Sequence, residues 1–333
     1  MDITRIDPFD LDLDTADEIA AIDRASVEVA GLELRPPVGP TRLVTMQQGS
    51  DGRAADGVWL AREAGDLVGY AVASLPVADN PDSAHLGGVV HPKARRHGVG
   101  RALMDAAVGL ARDAGRTRIY SGAWRGTDGV PALNALGFSS DGLIVNAVRR
   151  VDLHGAPAAL WDRLYDEASA HARDYDLVRQ VGPTPPELLD DMVTLHDAIN
   201  DAPLSDAESE PDFFDADRVR AYDAAMAARR QTVHRVMARH RETGDWAGIS
   251  LLCVDEFDPT IAHQEDTSVV RGHRGHRLGL LMKAEMLRWI AEDRPEVAAT
   301  DTWNATSNHH MIAVNERLGA RVVGEHVTFR LRG

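Results

Sequence analysis

Two stretches of the chain bring arginine and glycine together where a strand gives way to a helix. The first, Arg95-Arg96-His97-Gly98-Val99-Gly100-Arg101, follows a strand ending near Val90. The second, Arg274-Gly275-His276-Arg277-Leu278-Gly279, follows one ending near Val269. A helix N-terminus offers unpaired backbone N–H groups and a partial positive charge, and glycine lets that backbone approach an anion closely. Arginine adds charge-assisted hydrogen bonds. The chemistry these residues suit is the cradling of a phosphate. One copy alone is equally well an ordinary turn with solvated arginines, and its recurrence in the same setting weighs for binding. Other phosphate and nucleophile motifs are missing: the third glycine of the dinucleotide fingerprint is absent after Gly98 and Gly100, no Gly-x-x-x-x-Gly-Lys occurs, and no Gly-x-Ser-x-Gly elbow occurs.

A second group of residues could move protons. Glu265 and Asp266 are adjacent carboxylates on the strand before the second loop. Strand alternation sends neighbours to opposite faces, so one of the two is expected to face a cleft. At the matching places of the first copy stand Leu86 and Gly87, and His85, one position earlier, is the titratable residue there. His273, His276, His309 and His310 come without the carboxylate or cysteine spacing of a zinc site, so no metal is expected. Cys253, within the apolar run Ile249 to Val254, reads as a buried strand residue.

These groups must be positioned by two copies of one arrangement. Setting Gly100 against Gly279 gives an offset of 179 residues, at which Val90 falls on Val269 and Arg95 on Arg274 without a gap. Further on, Asn134 to Phe138 matches Glu316 to Ala320 at an offset of 182. The first copy reads as a short N-terminal strand, a helix around Thr15 to Val29, and strands near Gly57 to Arg62, Leu67 to Leu75 and Ala84 to His91, with a turn at Ala64-Gly65-Asp66. The helix from Val99 carries Leu103, Ala106, Ala107 and Leu110 as one apolar stripe and stops at Gly115. The second copy has strands near Gln231 to His240, Ala247 to Asp255 and Ala262 to Val270. Its helix has Leu278, Leu281, Met282, Glu285 and Trp289 along one side, with Glu285 expected at the edge of the stripe. Strands, helix and strand in each half describe an α/β (α+β) chain of two domains. The expected division is 1–153, a linker helix over 154–175, and 176–333.

The 333 residues suffice for two cored domains, and 44% hydrophobic with 26% charged residues is globular composition. A net charge of −16 works against general nucleic-acid binding. One cysteine permits no internal disulfide, and an acidic N-terminus interrupted by Pro8 is unlike a signal peptide, so a reducing, cytoplasmic setting without a membrane span is expected. Eleven acidic residues and no lysine or arginine lie between Glu187 and Asp217, which suits a cationic partner and equally a solvated face. Arg229, Arg230, Arg235, Arg239 and Arg241, interleaved with Val233, Met237 and Trp246, read as a strand with a polar face.

The loops resemble the acetyl-CoA signature of the GNAT N-acetyltransferases, Arg/Gln-x-x-Gly-x-Gly/Ala after a strand. Arg95-x-x-Gly98-x-Gly100 matches it fully, and Arg274-x-x-Arg277-x-Gly279 matches except at Arg277. The family also carries an Asn seven residues before a Tyr and a Gly four residues after it. Asn308, Asn315 and Gly319 keep this spacing with Asn315 in the Tyr position, while the first copy has Gly126, Leu133 and Gly137. The resemblance implies a tandem of two GNAT-like domains, each a mixed, mostly antiparallel sheet flanked by helices. It implies acetyl-CoA as co-substrate, held by the two loops with Val90, Val269 and Asn308, and direct acetyl transfer to an amine of a small molecule or protein. Glu265 or Asp266 would serve as base and Asn315 as the polar group near the thioester. An alkylammonium of pKa about 10.4 is only about 0.04% neutral at pH 7, so a base is valuable. The better cofactor loop is expected in the first domain and the better catalytic complement in the second. The alternative is a non-catalytic acyl-CoA-binding or regulatory protein; acceptor identity and oligomeric state stay open.

Overall fold

The computed structural model describes residues 1–49, 51–155, 158–201 and 213–332. It divides into two compact units whose described parts are 1–146 with 323–332, and 147–201 with 213–322.

The first unit begins with β1 (Asp2–Ile6) and α1 (Leu13–Ala30). Asp12 caps α1 by accepting from the Thr15 N–H at 2.8 Å, and Gly31, with φ +64°, ends it in the left-handed conformation. There follow α2 (Gly39–Gln47), β2 (Gly57–Glu63), β3 (Asp66–Ser74), β4 (Ser83–Val90), α3 (Val99–Asp113), β5 (Arg118–Trp124), α4 (Gly129–Ala135) and β6 (Phe138–Ser139). β1 to β4 pair antiparallel in chain order, β4 and β5 run parallel, and the next place beside β5 is taken by a strand from the far end of the chain. Of the expected stripe on α3, Leu103 and Ala107 are buried in the core with Trp59, Ala71, Leu86 and Ile119, while Ala106 and Leu110 are partly buried against it; Val108 and Ala111 complete the buried face.

The second unit takes most of β7 (Val145–Asp152), then α5 (Ala158–Ser169), β8 (Tyr175–Val181), α6 (Leu189–Asp197), α7 (Ala216–Ala228), β9 (Gln231–His240), β10 (Trp246–Asp255), β11 (Ile261–Val269), α8 (Leu278–Asp293), β12 (Ala299–Ala305) and α9 (His309–Arg317). Its strand order is β7-β12-β11-β10-β9-β8, antiparallel from β8 to β11 and parallel between β11 and β12. β13 (Arg321–Leu331) closes the first unit, pairing antiparallel with β5 from His326–Trp124 to Arg330–Tyr120. Within each unit the strands are mixed and mostly antiparallel and are flanked by helices, as the resemblance implied.

Four expectations need revision. The boundaries at 153 and 176 miss an exchange of last strands: β7 carries Val151 into the second core, and β13 carries Val327 and Phe329 into the first. A strand belongs where its ladder partner and its apolar face find burial, and sequence adjacency does not dictate that. The helix expected as a linker is α5, which packs inside the second unit through Trp161, Leu164 and Ala168, with the Trp161 indole donating to the Leu318 carbonyl at 3.2 Å. The polar face expected on the arginine-rich strand is also absent. His234 to Ala238 of β9 are all buried, and Arg235, fully buried, is paired with Asp223 of α7. Glu285, expected at the edge of its stripe, is buried at 8% exposure and accepts from Arg179 at 2.9 Å.

Candidate functional site

Each unit has the same opening. In the first, β4 pairs with β5 only from Ser83–Arg118 to His85–Tyr120; from Leu86 onward β4 keeps its ladder with β3 alone. In the second, β11 pairs with β12 from Ile261–Ala299 to Gln264–Thr302, and from Glu265 onward its ladder is with β10 alone. Two parallel strands that separate halfway leave a wedge whose walls carry backbone hydrogen-bonding groups. The arginine- and glycine-rich loops begin where the separated strands end.

The two loops share one backbone built from different residues. After a 3-10 turn (Pro92–Ala94 in one, Arg271–His273 in the other), each loop has two positions in the left-handed region. They are Arg96 at φ +68° and Gly98 at +87° in the first, Gly275 at +91° and Arg277 at +56° in the second. Glycine and arginine have traded places at the offset of 179. An arginine in this region costs about 1–2 kcal/mol that glycine avoids, and each loop carries one such residue. The helix-capping geometry survives at Arg277, so the missing first glycine does not remove the helix N-terminus from reach: α3 starts at Val99 and α8 at Leu278. Room for a close approach is also kept, since a Cβ on Gly98 would meet nothing within 4 Å, and one on Gly100 would touch Val90 Cγ2 at 3.4 Å.

The arginines divide into braces and exposed cations. Arg95 donates from Nε to the Val90 carbonyl at 3.2 Å, from Nη2 to Ser26 Oγ at 2.8 Å and from Nη1 to Asp128 at 3.1 Å. Arg274 repeats the first of these, to the Val269 carbonyl at 3.1 Å. Both tie the loop back to the strand that precedes it. Arg101 donates to the Ala135 carbonyl at 3.1 Å, while Arg96 and His97 are exposed. Arg277 is turned to Glu167, which Arg317 also reaches at 2.7 Å; these bonds, the Arg317 one foremost, hold the carboxyl below its ordinary range. His276 lies at the edge of the Tyr175 ring, centroids 5.3 Å apart, and Tyr175 OH is 3.1 Å from His273 Nδ1. Each loop thus offers an anion backbone N–H groups and a helix end, with Arg95, Arg274 and Arg277 engaged as braces and Arg96 of the first loop exposed beside them.

The acid pair sits on a bulge that simple alternation does not foresee. Ser250 is opposite Thr267 and Leu252 opposite Gln264, so Leu251 alone faces both Glu265 and Asp266. The Gln264 amide fills the gap by donating to the Leu251 carbonyl and to Ser250 Oγ. Both carboxylates come out exposed, in place of one in and one out. Glu265 keeps a wet outer surface while protein crowds its other sides, as on a cleft floor. That crowding, with the Asp266 charge second, pushes its pKa up to about 7, and Arg229 opposes the shift. Solvent access moderates the displacement without changing its direction.

Sequence reasoning missed the groups around Glu265. The Tyr222 hydroxyl of α7 is 3.7 Å from Cys253 Sγ on β10, and Arg229, which caps the end of α7, has a buried Nε with no hydrogen-bond partner among the described residues. Burial raises the tyrosine and pushes the Cys253 thiol up to about 12, with the Glu265 charge adding to both. That thiol is not a nucleophile at neutral pH. Nothing in the spacing of 222, 229, 253 and 265 announces the group. Only part of the acidic run from Glu187 to Asp217 is described, since 202–212 lie outside the described residues.

The two asparagines of the second unit both have partners within it. Asn315, 1% exposed, donates from Nδ2 to Asn304 Oδ1 of β12 at 2.7 Å. Its amide is spent on holding α9 to β12 and presents no surface to a thioester. Asn308 caps α9, its Oδ1 accepting from the Met311 N–H at 3.2 Å. In the first unit Leu133 is buried in the core, and His85 is exposed and stacked on Tyr120 at 5.6 Å, its pKa lowered by its surroundings and then by Arg118.

Comparison with known proteins agrees with this geometry. Residues 28–137 match the model of the acetyltransferase (GNAT) family. A tandem GNAT protein from the clavulanic acid biosynthesis pathway superposes over 99% of this chain and 97% of its own, with a TM-score of 0.79 at 24% identity. A GCN5-related N-acetyltransferase from Sphaerobacter thermophilus covers 98% and 95%, at TM-score 0.68 and 14% identity. A GNAT-family acetyltransferase from Colwellia psychrerythraea covers both chains fully at TM-score 0.56 and 11% identity. At these identities the likeness is one of fold. No curated protein matches the sequence.

Proposed function

From a GNAT acetyltransferase domain at residues 28–137, within a chain folded as a tandem GNAT protein, we propose that the protein moves an acyl group, acetyl in the first instance, from a CoA thioester to an amine. The observation that carries this reading is the wedge between parallel strands leading to a left-handed loop at a helix N-terminus, built twice. Such a site offers backbone N–H groups to a pyrophosphate and backbone edges to the pantetheine arm, with the thioester lodged where the strands part. The cofactor supplies the activated acyl group. The chain's own residues bind it, orient it and handle the proton.

Proton handling falls to the second unit. Glu265 lies where β11 leaves β12, and near neutrality it can accept a proton from an incoming ammonium. The paired negative charge of Asp266 favours a cationic acceptor. Asn315 is withdrawn from the reaction, so the departing thiolate leaves unaided or takes its proton from water; a thiol of pKa about 8.5 needs little help.

A second reading has the first unit in its favour. Its β4 runs in unbroken register from Ser74–His85 to Gly69–Val90, with Leu86 buried and no carboxylate among its residues 86–90. This unit is suited to holding acyl-CoA without turnover. Calorimetry with acetyl-CoA, together with CoA-thiol release over a panel of amines, tests the proposal. Acyl-dependent thiol release that requires an amine supports transfer, binding without release supports the second reading, and absence of binding overturns both.

A further inference from the structure

Lys283, one of two lysines in the chain, is buried inside α8 at 4% exposure and makes no hydrogen bond or ion pair among the described residues. An unpaired lysine is a costly thing to bury and calls for an explanation. The corresponding position of the first copy, at the same offset of 179, is Met104, so the repeat accepts a plain thioether there. Burial is the sole cause acting on its titration, and it lowers the pKa to about 7. The charges nearest along α8 are engaged elsewhere, Glu285 with Arg179 and Arg288 with Asp162. No carboxylate or guanidinium on β10, β11, β12 or α5 contributes to the shift.

Its direction follows from helical geometry. Gly279, Lys283, Met286, Leu287 and Ile290 fall on one face of α8. Gly279 looks onto the separated half of β11, since a Cβ there would lie 3.9 Å from Thr267 Cγ2. Side chains on a helix lean toward its N-terminus, so the Lys283 stem runs back over the Gly279 turn, toward the loop and the wedge. The opposite face of α8 is taken up with α5, where Arg288 packs over Tyr165 at 4.4 Å. A long amine with no partner is thus directed at the place where, on the function proposed above, a thioester would sit.

We propose that Lys283 is an internal acyl acceptor, modified by the acyl-CoA that the second unit binds. The neutral Nζ attacks the thioester carbonyl, a C–N bond forms and the C–S bond breaks. The amine gives up one proton and the departing CoA thiolate takes one, so the products are an amide and a free thiol, with no further reagent. An amide does not pass its acyl group on, so this is a lasting modification and not a step of turnover. It replaces a buried, unpaired basic group by a neutral one and fills the far side of the wedge. The inference rests on acyl-CoA binding in the second unit, and the test separates the two.

The full chain is incubated with acetyl-CoA and no amine, and intact mass, peptide mapping, released thiol and calorimetric binding are recorded on the same sample. The expected result is one acetyl per chain on Lys283, one equivalent of thiol, and a rate that climbs to about pH 7 and then levels off. Exposed Lys93 is the internal control for indiscriminate acetylation. Lys283→Met, which copies Met104, should bind acetyl-CoA and gain no acetyl. Bound acetyl-CoA with Lys283 unmodified overturns this inference and leaves the proposed function standing. Acetyl found on Lys93 to the same extent, or retained in Lys283→Met, also overturns it, whereas no binding at all overturns both. If Lys283→Met fails to fold, the mapping on the wild-type chain decides alone.

Discussion

Replacing Glu265 by Gln isolates the proton step. The Glu265 side chain makes no hydrogen bond among the described residues and stands at an exposed bulge, so the amide should fit without unfolding the second unit. What it removes is a base of pKa about 7. With that base, kcat/KM should rise with pH to about 7 and then flatten, because Glu265 takes the proton that a bound ammonium must lose. Without it, the reaction waits for the amine to ionise in solution, and kcat/KM should climb about tenfold per pH unit until near pH 10.4. The ratio of wild type to variant should therefore shrink about a hundredfold between pH 7.5 and 9.5, starting from a deficit within the roughly 10²–10⁴ that a positioned base supplies. The assay is initial-rate thiol release at subsaturating amine, with thermal unfolding as the control for fold. A ratio that stays constant across this range would refute the assignment, because it would mean that Glu265 acts through structure or charge alone. Unchanged rates at every pH would move the chemistry away from the bulge.

Three other outcomes follow from the geometry. Gly98→Val forces a β-branched residue to φ +87°, at a cost of about 1–2 kcal/mol, and should weaken acetyl-CoA binding at the first loop in calorimetry while the second loop is untouched; undiminished affinity would remove that loop from the binding site. Asn315→Leu leaves the buried Asn304 oxygen without its donor and should cost about 1–3 kcal/mol in urea unfolding with kcat little changed, whereas a fall in kcat at unchanged stability would return Asn315 to the chemistry. Asp223→Asn strands the fully buried Arg235 guanidinium and should cost about 3–5 kcal/mol; a loss below about 1 kcal/mol would show that Gln180 and Gly182, its other partners, suffice.

What could be read from the residues was periodic or repeated. The offset between Gly100 and Gly279 located both loops, and the strands before them lie within a residue or two of their expected places, because apolar alternation and glycine turns are local signals. The fate of Asn315 was hidden because its partner, Asn304, is on another element, and hydrogen bonds between elements leave no spacing in the chain. Glu265 and Asp266 were found, but their common exposure was not, since a bulge is set by the register with β10 and a period-two reading passes over it. The burial of Arg235 was equally out of sight: five arginines within thirteen residues read as the polar face of a strand until an aspartate from α7 is placed against one of them.

The traded strands bear on when this protein can become itself. The first unit has α1 to α3 and β1 to β5 within the first 124 residues, yet Val327 and Phe329 of its core are made after almost everything else. During synthesis, then, the side of β5 away from β4 stays without its partner strand until the end of the chain has been made. A gene cut at the apparent midpoint would yield two halves, each lacking a strand that the other encodes. The two copies are therefore not interchangeable modules: their loops and strands differ in chemistry, yet each core takes a strand that is encoded with the other.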